Sequence, residues 1–218
     1  MGEHPSGDCS LRPREWRPSL QRRVDPVRLF PDVWCFGDLP PFSFDFIMAD
    51  PAWLYELRSE KGEGKSAQAH YKCMPLDKIK AMPVLDLASE NCLLWLYATN
   101  PMLFQAYEVL IDWGFEFVTA GSWEKITKNG KQAFGPGYVL RTSNEPFLIG
   151  KRGNPKTTKS VRSSFRGVVR GHSRKPEEGY RHAEKLMPNA RRLELFSRTN
   201  RKGWTVWGDE AGKFGEAA

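Results

Sequence analysis

The stretch FDFIMADPAWLYE, residues 44–56, decides the fold. An apolar run climbs through Phe46, Ile47 and Met48, stops at Asp50, and is followed by Pro51, Ala52 and Trp53. A short continuous apolar run bounded by a turn is the pattern of a buried strand. This one ends by delivering a carboxylate and a large indole into a turn stiffened by proline.

Working outward, strand-like and helix-like segments alternate. LDKIKAM (76–82) reads as a helix stopped by Pro83, and CLLWLYAT (92–99) as a buried strand. Asn100 and Pro101 supply an N-cap and a first-turn proline. Leu103, Ala106, Tyr107 and Leu110 share a face of the helix that follows, and Gly114 ends it. FVTAGSWEKI (117–126) and PFLIGKRG (146–153) read as strands, and a helix opens at Pro176 with Glu177 and Glu178 in its first turn. RRLELFSR (191–198) and WTVWG (204–208) are the last strands. Such alternation predicts an α/β fold with a mostly parallel central sheet, in which ligands bind beyond the carboxyl ends of the strands. The DPAW turn falls there. The domain is expected over 31–212, preceded by a Pro/Arg-rich arm (1–30) and followed by a short tail (213–218).

The totals fit one domain. The chain has 218 residues, 40% of them hydrophobic and 12% aromatic, which argues against disorder. No apolar run is long enough to span a bilayer, and no export signal is visible, so a cytoplasmic location is expected. Cys9, Cys35, Cys73 and Cys92 form no CxxC pair and the histidines are dispersed, so no metal site is expected. The formal charge is +7 and is unevenly placed. Residues 151–175 carry nine Lys or Arg and no acid. A solvated loop would explain this; a surface that tracks a nucleic-acid backbone explains it better, with Lys156, Lys159, Arg162, Arg166 and Arg170 as contacts.

Two motifs mislead. SEKGEGKS (59–66) approaches a phosphate-binding loop, but Ser59 stands where glycine is required and no strand feeds it. FGPGY (134–138) opens no helix and reads as a turn. The long segments 54–70 and 127–145 are expected to be functional loops, the first a glycine-rich lid.

Asp50 capping a turn and Trp53 packing in the core would be a sufficient structural account of DPAW. Its chemistry offers more. The exocyclic amino group of a base is a poor nucleophile because its lone pair is delocalised into the ring. A carboxylate and a backbone carbonyl that accept its hydrogens would position it for attack, and an aromatic side chain would stack on the base.

MADPAW (48–53) lies where the MT-A70 family of adenine-N6 methyltransferases has its DPPW signature. The resemblance continues in order through HYKCM (70–74), MPVLDL (82–87), CLLWLYAT, EPFLIGKRGNP (145–155), SRKPEEGY (173–180), RRLELFSR and GWTVWGDE (203–210), covering roughly residues 36–210. It looks closest to prokaryotic and phage-type members. The resemblance implies a Rossmann-like class I methyltransferase fold and methyl transfer from S-adenosyl-L-methionine to adenine N6 by direct displacement. It makes Asp50, Pro51, Ala52 and Trp53 the catalytic turn. Asp38, Asp50, Lys175, Glu194, Phe196, Arg198, Asn200, Asp209 and Glu210 fall at cofactor positions, and Tyr71 and Glu145 at substrate-side positions. Nucleic acid is the implied partner, DNA ahead of RNA, with a homodimer or a related methyltransferase-fold subunit as protein partner.

The chain departs from the pattern at Ala52, which replaces the second proline of the signature. A carbonyl remains there, while the fixed φ is lost. The rival readings are cytosine-N4 methylation, which poses the same chemical problem, and a silent methyltransferase-fold subunit that binds nucleic acid without catalysis. Cofactor affinity separates the last from the rest.

Overall fold

The protein is described from a computed structural model over residues 34–54, 73–137, 139–171 and 174–214. The arm at 1–30, the lid expected at 54–70 (save Leu54), the SEKGEGKS motif and Tyr71 lie outside these residues. From Cys35 onward the described residues belong to one compact unit.

Seven strands form one sheet. They are β1 (Phe44–Ala49), β2 (Ala88–Tyr97), β3 (Glu116–Ile126), β4 (Asn144–Arg152), β5 (Ser164–Val168), β6 (Arg192–Leu195) and β7 (Trp204–Trp207). Their spatial order is β5-β3-β4-β2-β1-β6-β7. β1 sits between β2 and β6, parallel to both. Phe46, Ile47, Met48 and Ala49 are all at most 1% exposed, so both faces of β1 are covered and its sequence runs apolar without alternating. β6 and β7 are also parallel, as are β3 and β5. β4 runs antiparallel to both β2 and β3. The sheet is mostly parallel, as expected, with one reversed strand near its middle.

The helices are α1 (Leu76–Lys80), α2 (Leu103–Asp112) and α3 (Glu177–Leu186). α3 buries Tyr180 and Ala183 in a cluster with Phe46, Met48, Trp95, Phe147, Phe165 and Trp204. α2 packs on the opposite face, where a Cβ built on Gly150 would lie 3.1 Å from Leu110. Gly114 ends α2 with φ +84°, the left-handed conformation that glycine adopts without a steric penalty.

Three expectations need correcting, and one strand direction is new. α2 buries Ala106, Val109 and Leu110, while Leu103 and Tyr107 are exposed, because its inward stripe runs from Met102 through Ala106, Val109 and Leu110 to Trp113. The strand expected over 191–198 stops at Leu195, since Phe196 turns to φ +63°. β5 lies inside the basic run, where no strand was expected. The segments 117–126 and 146–153 pair antiparallel with each other. Among the described residues no helix is long and apolar enough to cross a membrane.

Candidate active site

The reversed strand β4 creates the site. Six strands end at one edge of the sheet, and β4 begins there. Asp50 follows the last residue of β1, and Glu145 is the second residue of β4. Lys175, just before α3, reaches between them. Its Nζ lies 2.8 Å from Asp50 Oδ2 and also contacts Glu145 Oε1. The same ammonium stands 4.5 Å from the centroid of the Tyr97 ring. Glu145 Oε2 is held from its other side by Lys125 Nζ at 2.8 Å, and Lys125 in turn lies over the Trp123 ring.

This arrangement separates the two carboxylates electrically. Burial raises the pKa of Asp50, and the charge on Glu145 raises it further against the pull of Lys175. Burial also opposes the charge on Glu145, but Lys175 and Lys125 outweigh it and hold that pKa below its ordinary value. Burial disfavours the charge on Lys175 as well, yet its two carboxylate partners keep its pKa raised. Carboxylates whose environments push their pKa values apart take different roles: here one stays charged and the other is the better proton acceptor.

The DPAW turn is built from the backbone. The Trp53 N–H donates to the Pro51 carbonyl at 2.8 Å, a three-residue γ-turn centred on Ala52. The Met74 N–H donates to the Ala52 carbonyl at 2.9 Å, so this carbonyl, expected to await a substrate amine, already carries a protein hydrogen bond. Trp53 is 4% exposed and lies outside the cavity lining; its Nε1 is buried without a hydrogen-bond partner among the described residues.

Beside this turn opens a cavity of about 300 Å³. Asp50, Ala52 and Lys175 line it, together with Glu194, Phe196, Arg198, Asp209 and Glu210. Glu194, on β6, is buried and, among the described residues, paired with no arginine. It accepts from the Tyr180 hydroxyl at 2.7 Å and from the Ser197 hydroxyl at 2.8 Å. Burial pushes its pKa up to about 7. Arg191, at the start of the same segment, binds Asp45 at 2.8 Å. Phe196 stands edge-on to Trp207, their ring centroids 5.8 Å apart. A positive φ at a phenylalanine is uncommon, and such strain gathers at functional sites. Gly208 lets the next strand end approach: a Cβ there would lie 2.9 Å from the Ser197 carbonyl oxygen.

Other expected positions fall elsewhere. Asp38 and Asn200 are exposed and outside the lining, Asn200 lying beside Gly212. Arg198 and Glu210, each expected at a ligand, pair with each other at 2.6 Å. Glu145 holds Lys175 and does not line the cavity. The basic run is not one surface. Arg170 is bound to Glu177, and Arg166 pairs with Glu124 at 3.3 Å and donates to the Gly130 carbonyl. Lys156, Lys159 and Arg162 are exposed. Lys125, Tyr180, Ser197 and Arg174 were not anticipated. Lys125 sits two residues after Trp123 in an alternating strand, so its direction was readable, but not its partner. Among the described residues no group of acidic, histidine or cysteine side chains is arranged to hold a metal ion.

The family model described as MT-A70 matches residues 44–210. The Type II methyltransferase M.MunI of Mycoplasma sp is 29% identical over 195 residues, 80% of this chain and 81% of that protein. An Arabidopsis thaliana N(6)-adenosine-methyltransferase MT-A70-like protein is 29% identical over 77% of this chain. The human N(6)-adenine-specific methyltransferase METTL4 is 30% identical over 85% of it. The chain spans only 24% and 42% of the lengths of these last two.

Proposed function

The chain belongs to the MT-A70 family, and on that premise we propose that it methylates the N6 amino group of adenine in nucleic acid, with S-adenosyl-L-methionine as donor and DNA ahead of RNA as substrate. The observation that carries this reading is Asp50, its pKa raised, standing at the mouth of a nucleoside-sized cavity while Lys175 holds one of its oxygens. DNA is preferred because the Type II methyltransferase M.MunI is a relative that this chain matches over most of that protein's length.

The cavity suits the donor. Small-molecule sites run from about 300 to 1,000 Å³, and this one is at the lower bound. Four acidic side chains in its lining, Asp50, Glu194, Asp209 and Glu210, favour a ligand with positive charge and hydroxyl donors. Phe196 and Trp207 offer apolar faces to a base. When bound, S-adenosyl-L-methionine supplies a methyl group on a sulfonium centre, open to attack by an amine.

The protein's own residues prepare that amine. Asp50 accepts an N–H from the target amino group, which localises the nitrogen lone pair. Lys175 fixes the carboxylate, and Glu145 with Lys125 fixes Lys175, so the acceptor needs no reorganisation during reaction. The raised pKa of Asp50 suits it to take the amine proton once the new bond forms. In duplex substrate the base must first leave the stack.

Nucleoside mass spectrometry after incubation with S-adenosyl-L-methionine and DNA or RNA tests the proposal, with Asp50→Asn as control. N6-methyldeoxyadenosine from DNA, lost with the variant, is expected. N4-methylcytosine, or no modified base in either polymer, would overturn it.

A further inference from the structure

Three cations line the cavity: Arg174, Lys175 and Arg198. Lys175 is answered by Asp50 and Glu145, and Arg198 by Glu210. Arg174 is not answered. Among the described residues its guanidinium meets no carboxylate or carbonyl, and its Nε is buried without a partner. What holds it is an aromatic face, the Phe214 ring, 4.9 Å from its centre. Phe214 is itself anchored, its N–H donating to the Arg198 carbonyl at 3.1 Å. The Arg174 backbone is fixed too, by an N–H donated to the Gly171 carbonyl.

A buried guanidinium N–H without an acceptor is costly, and a ligand group that brought an acceptor into the cavity would relieve that cost. Its planar fork matches a carboxylate with two parallel hydrogen bonds. Phe214 holds the Arg174 guanidinium through its ring face, which takes up none of its N–H donors. The other charged groups of the lining are acidic or already matched, so a single anionic group on the ligand would complete the cavity.

We propose that Arg174 binds the carboxylate at the amino-acid end of the methyl donor. The inference rests on the reading of the cavity as the donor site. It adds a residue that the DPAW segment and the lysine beside it do not supply, and it explains why the chain holds two adjacent cations, Arg174 and Lys175, in different roles. Lys175 faces protein carboxylates, and Arg174 faces the ligand's.

Calorimetric titration with two ligands tests it. S-adenosylhomocysteine carries the carboxylate, and 5′-methylthioadenosine lacks the whole amino-acid end. Arg174→Gln is expected to weaken S-adenosylhomocysteine by about tenfold or more, while 5′-methylthioadenosine binds as to the unaltered protein. Retained binding of the second ligand shows that the variant is folded. Equal weakening of both ligands, or none for S-adenosylhomocysteine, overturns the assignment. So does a loss confined to DNA affinity, read by fluorescence anisotropy without donor, which would give Arg174 to a strand phosphate. If the unaltered protein binds neither small ligand, the donor-site reading itself falls, and the assignment falls with it.

Discussion

Lys175 Nζ stands 2.8 Å from Asp50 Oδ2, and the same ammonium is gripped by Glu145 from the one strand that runs the other way. A cation with two carboxylate partners and only 8% exposure is a commitment of the fold as well as of the site.

Removing that cation leaves two half-buried carboxylates facing each other. Lys175→Met is expected to lower stability by about 3 kcal/mol, measured by urea unfolding. Adding Glu145→Gln should recover part of the loss, because one of the stranded charges is gone. If the double variant is no more stable than Lys175→Met, the two carboxylates do not share that cation.

Glu194 sets a pH dependence. Its pKa is about 7 in the folded protein against an ordinary 4.5, so between those values the folded state holds a proton that the unfolded chain has released. The stability it contributes is present in full below about 4.5 and is lost as pH rises through about 7. The expected fall is on the order of 3 kcal/mol. Urea midpoints at several pH values should show it, and Glu194→Gln should flatten that part of the profile. Tyr180 and Ser197 donate to this carboxyl, and the charges of Asp50 and Lys175 act on it, so the slope is read against a Lys175-intact background.

Ala52→Pro should be tolerated. The Ala52 N–H donates no hydrogen bond among the described residues, and Ala52 is not at positive φ. It is therefore the centre of an inverse γ-turn, with φ of about −75°, close to the value that proline fixes. Stability should rise by about 0.4–1 kcal/mol, with methylation retained or increased. A large drop in either quantity would show that the turn needs the freedom of alanine.

The basic run divides into two classes that a salt titration separates. Replacing Lys156, Lys159 and Arg162 together with alanine should weaken DNA binding at every sequence and flatten the plot of log affinity against log salt by up to about 2.7. Arg170→Ala should instead lower stability, since it unpairs Glu177. An unchanged salt slope in the triple variant would remove these residues from the interface.

Much of the fold was legible because buried strands of a parallel sheet announce themselves. FDFIMA and CLLWLY are runs with no polar face, and β1 and β2 are where they were expected. β5 was not legible. Only Phe165 and Gly167 of SFRGV are buried, and because glycine has no side chain, one phenylalanine makes no recognisable apolar alternation. The direction of β4 was hidden for another reason: pairing is chosen by distant partners, and nothing within PFLIGKR encodes which way it runs. The site followed the same division. Asp50 was marked by its position after β1, whereas its meeting with Lys175 and Glu145 depends on that reversed strand. Family resemblance supplied the residues and gave Glu145 to the substrate and Lys175 to the cofactor; what it left out is the bridge that Lys175 makes between Asp50 and Glu145.

The position of β1 has a consequence for how the chain comes into being. β1 is the first strand in sequence, and one of its two neighbours, β6, is the sixth of the seven. Synthesis proceeds from the amino end, so β1 can pair with β2 early while its other edge waits for nearly the whole domain to emerge. That open edge is FDFIMA, an apolar segment of the kind that pairs with any available strand. The strand that leads to Asp50 is thus a liability of the nascent chain, and the pairing that seals its edge also sets Glu194 beside Met48.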